Sequence, residues 1–285
     1  MERSPEYITK VEVKGLLHNF NIIWSLNRHI NILSGINGSG KSTVIKNLAS
    51  VLLNKKNIGE EKRVIDSIAI EFDNGARITA NQQMGDVAYS IDVISTFDVT
   101  LKELETLQRL SDGDVRTDMD WNLYILQRKF LSFQIKQGKM LLDMLQGNVE
   151  QSEINKVVAV KTAYYDMLDR LFQQTGKRVN RDSEELSFYL KGRSGDIVIS
   201  PYKLSAGEKQ LLYILTTVLC QDQKPTIMLM DEPEISLHFD WQKILLESIL
   251  ELNPNIQIIM ATHSPAMVMN GWLEHVKEIN DLVED

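Results

Sequence analysis

Apolar positions recur along the chain with two different periods. Between residues 7 and 34 they alternate or run together in β-branched stretches, YITKVEVKGL and RHINILSG, which predict two short extended segments. In KSTVIKNLASVLL the spacing changes, and Val44, Ile45, Leu48, Val51 and Leu52 share one face of a helix. The glycine-rich run GINGSGKST separates the two textures, so this part is strand, loop, helix. Residues 63 to 95 return to short strands, VIDSIAIEF, ARITA and VAYSIDVIS, with a turn at DNG.

After Phe97 the next hundred residues or so are mainly helical. WNLYILQRKFLSFQIKQGKMLLDMLQ (121–146) and EINKVVAVKTAYYDMLDRLFQQ (153–174) flank Gly147 and a polar turn, which predicts a helical hairpin. In the second helix Ile154, Val158, Lys161, Tyr165, Leu168 and Phe172 alternate in steps of four and three, the seam of an antiparallel pair. GKRVNR (176–181) is a small basic turn, expected to be a solvated loop in preference to a nucleic-acid patch. Strand and helix patterns then alternate to the end, through ELSFYLKG, DIVIS, AGEKQLLYILTTVLCQ, TIMLMDE, DWQKILLESILEL and IQIIMATH. The expected fold is α/β: a mixed or parallel sheet core formed by residues 1–97 and 184–285, interrupted by a helical lobe at 98–183.

Composition narrows the class. With 285 residues, 43% hydrophobic and 25% charged, the chain can bury a large core as one domain carrying an insertion. The longest apolar stretch, LLYILTTVLC, is half of a bilayer span, and MERSPEYITK has no apolar signal region, so a soluble cytoplasmic protein without a membrane partner is expected. Cys220, the single cysteine, cannot form an internal disulfide and is expected as a small buried hydrophobe. A formal charge of −8 gives no global basic footprint, so any DNA contact would be local or supplied by a partner.

The chemistry begins at Gly35, Gly40, Lys41 and Ser42, which fit G-x-x-x-x-G-K-[ST] between a strand and a helix. There the backbone N–H groups of Asn37, Gly38, Ser39, Gly40 and the first helical turn, with the helix dipole, face one anion. Lys41 can reach the β- and γ-phosphates, and the Ser42 hydroxyl can ligate Mg²⁺, with Thr43 beside it. TIMLMDEPE is an apolar strand ending in two acids: Asp231 as a second magnesium anchor, Glu232 as the general base for the attacking water. In LSAGEKQ, Ser205 and Glu208 form an S-x-x-E capping box, whose helix start is also a second anion site because Ala206 and Gly207 are small.

In the order GINGSGKST, LSAGEKQ, MLMDEPE, SLH and ATHSP, these motifs resemble the Walker A, signature, Walker B, D-loop and H-loop of an ABC-type ATPase, and they bracket residues 35 to 265. The resemblance implies ATP and Mg²⁺ as ligands and a head-to-tail homodimer. Ser205, Gly207 and Glu208 of one protomer would face the nucleotide bound by Lys41 of the other. Ser236 to His238 would couple the two sites, and His263 would hold the γ-phosphate. The family's loop glutamine has no fixed counterpart: Gln82 and Gln83 lie between expected strands, and ISTFD at the junction has none. Trp24 is a weak candidate for stacking on adenine.

Within this superfamily, DEPEISLHFDWQ and THSP look like the soluble SMC, RecF and OLD-type group, whereas a transporter subunit usually ends its D-loop in leucine and aspartate. The insertion of about 85 residues exceeds a transporter's helical lobe and falls short of an SMC coiled coil. Only about 20 residues follow His263, leaving no room for the Toprim nuclease of OLD proteins. The expectation is therefore a sensor or motor ATPase whose effector, a nuclease or other toxin, is a separate chain in anti-phage defence or DNA repair. A transporter nucleotide-binding subunit and an ATP-clamped scaffold with little turnover are the alternatives.

Overall fold

In a computed structural model, residues 4–53, 65–79, 89–95, 115–147, 151–193 and 195–284 are described. Five strands, β3 (Ile30–Ser34), β6 (Ile91–Ser95), β10 (Thr226–Asp231), β11 (Ile256–Ala261) and β12 (Val276–Glu278), form an all-parallel sheet in the order β12-β3-β11-β10-β6. Every residue of β10 and β11 is buried, which continuous apolar runs demand of a sheet covered on both faces. Alternation divides them: Ile227, Leu229 and Ile259 pack on one side, Met228, Met230 and Ile258 on the other.

The first side is closed by helix α1 (Lys41–Leu52) and a second, antiparallel sheet ordered β13-β2-β1-β4-β5. It comprises β1 (Ile8–Leu16), β2 (Phe20–Ser25), β4 (Ser67–Phe72), β5 (Arg77–Thr79) and β13 (Val283–Glu284). All five apolar positions read from the α1 pattern are buried in this layer. The N-terminal stretch holds three strands, not two. The missed β2 follows a reversal through Leu17 and His18, both at positive φ, just after Gly15 at φ +68°, whose carbonyl accepts from His18 N at 2.9 Å.

The second side is covered by α4 (Ala206–Cys220), α5 (Phe239–Leu252) and a pair of long helices, α2 (Asp118–Gln146) and α3 (Gln151–Phe172). The pair meets only in part as the heptad pattern suggested. Tyr165, Leu168 and Phe172 are buried, but Val158 is 46% exposed and Ile154 and Lys161 are half-buried. The buried part belongs to a core shared with α4 and α5, so three helices, not one partner, select those positions. Ile135, Leu142 and Leu145 on α2 are exposed in the same outer half.

Beside these helices lies a separate three-stranded sheet, β7-β8-β9, formed by Lys177–Val179, Phe188–Gly192 and Gly195–Ile199. A division at residue 183/184 would part β7 from the two strands it joins. The basic run GKRVNR is strand over Lys177–Val179, with Lys177 half-buried against Glu208, whereas Arg178 and Arg181 stay exposed and pair with Asp196 and with Asp166 and Asp169. Cys220 is partly buried against the helical core, and burial pushes its thiol up to about 12. No helix among the described residues is long and apolar enough to cross a membrane.

Candidate functional site

In the parallel sheet β11 lies between β3 and β10, so the loops leaving all three strands converge at one end. The loop after β3 carries Gly35 to Gly40, with Ile36, Asn37 and Gly38 exposed. Gly40 sits at φ +97° as the N-cap of α1, and a Cβ there would come within 3.2 Å of Leu16. Only glycine meets both demands. Lys41, Ser42 and Thr43 form the first turn of α1. Lys41 is 3% exposed, and its Nζ donates to the carbonyls of Gly35 at 2.9 Å and Ile36 at 3.0 Å, bracing the loop from within. Burial lowers its ammonium below the usual lysine range against the opposing charges of Glu232, Asp231 and Glu234.

The charges of three carboxylates thus act on one lysine. Asp231 ends β10 and accepts from Ser42 Oγ at 2.9 Å. Burial raises the Asp231 carboxyl, the Ser42 bond and Lys46 pull it back, and Glu232 and Glu234 push it further up. A hydroxyl and a carboxylate in contact beside excess negative charge are hard oxygen donors that fit Mg²⁺. Among the described residues no group of three acids, histidines or cysteines could hold a metal alone. Glu232 follows at φ +50°, and His263, just past β11, places Nε2 3.1 Å from Glu232 Oε1.

The LSAGEKQ motif opens α4 with the expected capping box. Ser205 N and Oγ each donate to Glu208 Oε2 at 2.9 Å, and Glu208 N donates to Ser205 Oγ at 3.4 Å. Among the described residues, the hydrogen bonds of the Ser205 side chain go to Glu208 and none reaches the P-loop of the same chain. Gly207 is buried, and a Cβ there would lie 2.3 Å from the Ser236 carbonyl oxygen, so its smallness serves contact with the loop before α5. Ser236 in that loop has φ +72°, and exposed His238 caps α5, its Nδ1 accepting from Asp240 N at 3.4 Å.

Several residues here escaped sequence reading. Glu208 Oε1 accepts from Thr175 Oγ1 at 2.6 Å and Lys177 Nζ at 2.9 Å, with the carboxylate side chain 1% exposed. Burial alone would raise the Glu208 carboxyl, but bonds from Thr175, Lys177 and Ser205 hold it below the usual range. The adjacent Lys209 reaches back 2.6 Å to buried Asp120, which also caps α2. The signature helix is therefore anchored to α2 and β7 by opposite charges at consecutive positions. Only the T-x-x-D capping pattern at Thr117 and Asp120 could have pointed to one of these anchors. Trp24 is 1% exposed in the antiparallel-sheet core and cannot stack on a ligand. Gln82 and Gln83 lie outside the described residues, as does ISTFD beyond Ser95.

A family model described as "AAA domain, putative AbiEii toxin, Type IV TA system" matches residues 113–269. The chain belongs to this AAA family. The matched span includes the positions of the signature, Walker B, D-loop and H-loop motifs. It is 27% identical to the Retron Vc95 probable ATPase of Vibrio cholerae over 161 residues, 53% of this chain and 26% of that one. It is 23% identical to Septu protein PtuA of Bacillus thuringiensis, covering 92% of this chain and 72% of the relative. The chain thus spans about a quarter of the retron protein and nearly three-quarters of the Septu protein. A crystal structure of an SMC head bound to the C-terminal winged-helix domain of ScpA shares the fold, at a TM-score of 0.51 and 17% identity over 93% of this chain and 91% of that one.

Proposed function

We propose that the chain binds and hydrolyses ATP as a head-to-tail dimer and drives a separate effector protein, a nuclease or other toxin, in anti-phage defence or DNA repair. The observation that carries the catalytic part is the meeting of Ser42 with Asp231 at 2.9 Å and of Glu232 with His263 at 3.1 Å beside Lys41. Lys41 exchanges its loop carbonyls for the β- and γ-phosphates while the loop N–H groups cradle the remaining oxygens. Ser42 and Asp231 would hold Mg²⁺, which supplies charge neutralisation for the departing phosphate. Glu232 orients and deprotonates the attacking water, and His263 donates to the γ-phosphate once that phosphate parts it from Glu232.

Ser205 and Ala206 are exposed at the start of α4, and this favours a partner's nucleotide as the anion they meet. Ser236 and His238 would lie near the same interface. Similarity to a retron ATPase and a Septu protein supports the defence role. The test is ATPase rate per protomer against protein concentration, with light scattering of Glu232→Gln in ATP and Mg²⁺, each with and without double-stranded DNA. The rate is expected to rise with concentration and the variant to accumulate as an ATP-bound dimer. A variant that stays monomeric at saturating ATP would rule the sandwich out.

A further inference from the structure

The loop between β10 and α5 is strained at both ends, with Glu232 at φ +50° and Ser236 at φ +72°. Non-glycine residues hold such conformations only where their surroundings over-determine them. Between the two stands Glu234, 9% exposed. Its Oε1 accepts the backbone N–H of His263 at 2.9 Å, that of Ser264 at 3.2 Å and the hydroxyl of Thr262. These N–H groups lie past the end of β11 and before the short helix α6 (Pro265–Val268), where neither ladder nor helix satisfies them. Its Oε2 is buried and has no hydrogen-bond partner among the described residues. A second clasp backs the first: Ser264 Oγ donates to Gln242 Oε1 at 2.6 Å, and Gln242 Nε2 donates to the carbonyl of Leu237 at 3.0 Å.

The geometry points to Glu234 as a positioning residue: its side chain fixes the backbone from which His263 reaches Glu232. It ties the loop of the general base to the loop of the phosphate-sensing histidine, so that the two move as one unit. This rests on the ATPase reading for its catalytic consequence, but the positioning itself does not. The three donors converge on Oε1 and Oε2 accepts nothing from the described residues, so a glutamine can keep the clasp by presenting its carbonyl to the same donors. Alanine removes it, and aspartate, one methylene shorter, withdraws it while keeping the charge.

The test compares Glu234→Gln, Glu234→Asp and Glu234→Ala in the full chain. For Ala and Asp, kcat is expected to fall roughly 10- to 100-fold, the scale that a misplacement of about 1 Å costs. KM for ATP should stay within about twofold, because Lys41 hydrogen-bonds to Gly35 and Ile36 and Glu234 acts on it through charge alone, which Asp keeps. Glu234→Gln should restore most of kcat. Independently of turnover, the imidazole Cε1–Hε1 resonance of His263, assigned through His263→Gln, should move in Ala and Asp and stay in place in Gln. If Glu234→Asp matches the parent in both kcat and resonance, the positioning role is overturned, and the same holds if Gln fails as badly as Ala. A parent without ATPase activity would remove the hydrolysis reading while the resonance still decides the clasp. Should Glu234→Ala fail to fold, Asp and Gln carry the comparison alone.

Discussion

Lys177→Met tests whether the signature helix is held by the small sheet beside it. The substitution keeps the apolar stem of Lys177 and removes the ammonium that sits 2.9 Å from Glu208 Oε1. Breaking a buried pair costs about 3–5 kcal/mol when the surviving charge has no other partner. Glu208 keeps Thr175 on Oε1 and both Ser205 donors on Oε2, and Lys177 is 14% exposed, so water can reach its place. The loss should therefore be nearer that of one charge-assisted hydrogen bond, about 2 kcal/mol. Urea unfolding of Lys177→Met, Glu208→Gln and the double variant gives the coupling directly, and about 1.5 kcal/mol is expected. The pH dependence has a definite sign. Glu208 is held below its unfolded value near 4.3, so its contribution is complete above that pH and lost as pH falls through the lower folded value. The gap between parent and Lys177→Met should be full at pH 7 and narrow as pH falls below the unfolded carboxylate value. A coupling under about 0.5 kcal/mol, or a gap unchanged at acid pH, would refute the clamp.

Two further outcomes follow from the site. Lys41→Ala should abolish tight triphosphate binding, because the substitution removes both the phosphate ligand and the brace on Gly35 and Ile36; unchanged affinity by calorimetry would contradict the phosphate assignment. Gly207→Ala drives a Cβ to 2.3 Å from the Ser236 carbonyl, so about 1–3 kcal/mol of stability should be lost. The forced parting of the signature helix from the Ser236 loop should also lower kcat more than it raises KM for ATP; full stability and turnover would show that this contact is dispensable.

The parts of the site that sequence made legible are those in which one motif contains the whole reason for itself. The P-loop needs glycines at fixed offsets before Lys41, and Ser205 and Glu208 form a cap within three residues. Ile227 to Met230 of TIMLMDE are all apolar because both faces of their strand are covered. What remained hidden depends on residues far apart in the chain. Lys177 looked like part of a solvated basic turn because its partner Glu208 lies 31 residues away. Asp120 and Lys209 are separated by 89 positions, and neither type signals burial. Gly207 was legible as small but not for its actual neighbour, the Ser236 carbonyl, which only the packing of two loops supplies.

These long-range contacts bear on how an ABC-type site could answer to a partner. Ser205 and Ala206, which the proposed dimer would turn toward the partner's nucleotide, are exposed, and the turn beneath them fixes them. That turn is gripped by Glu208 toward β7 and by Lys209 toward α2. A force on either element reaches the start of α4 through one ion pair, without passing through the parallel sheet. On the opposite side, Gly207 rests on Ser236, whose loop is clasped by Glu234 and Gln242 to the turn bearing His263. The chain of contacts runs from the helical pair to the signature cap, across to Ser236 and on to the Glu232–His263 pair. Physical contiguity of this kind supplies a route but not a coupling energy, and the energy is what the Lys177 and Glu208 cycle measures, repeated with ATP turnover as the readout. Coupling that is present in stability and absent in kcat would confine the clamp to folding; coupling in both would make the helical lobe a regulator of hydrolysis.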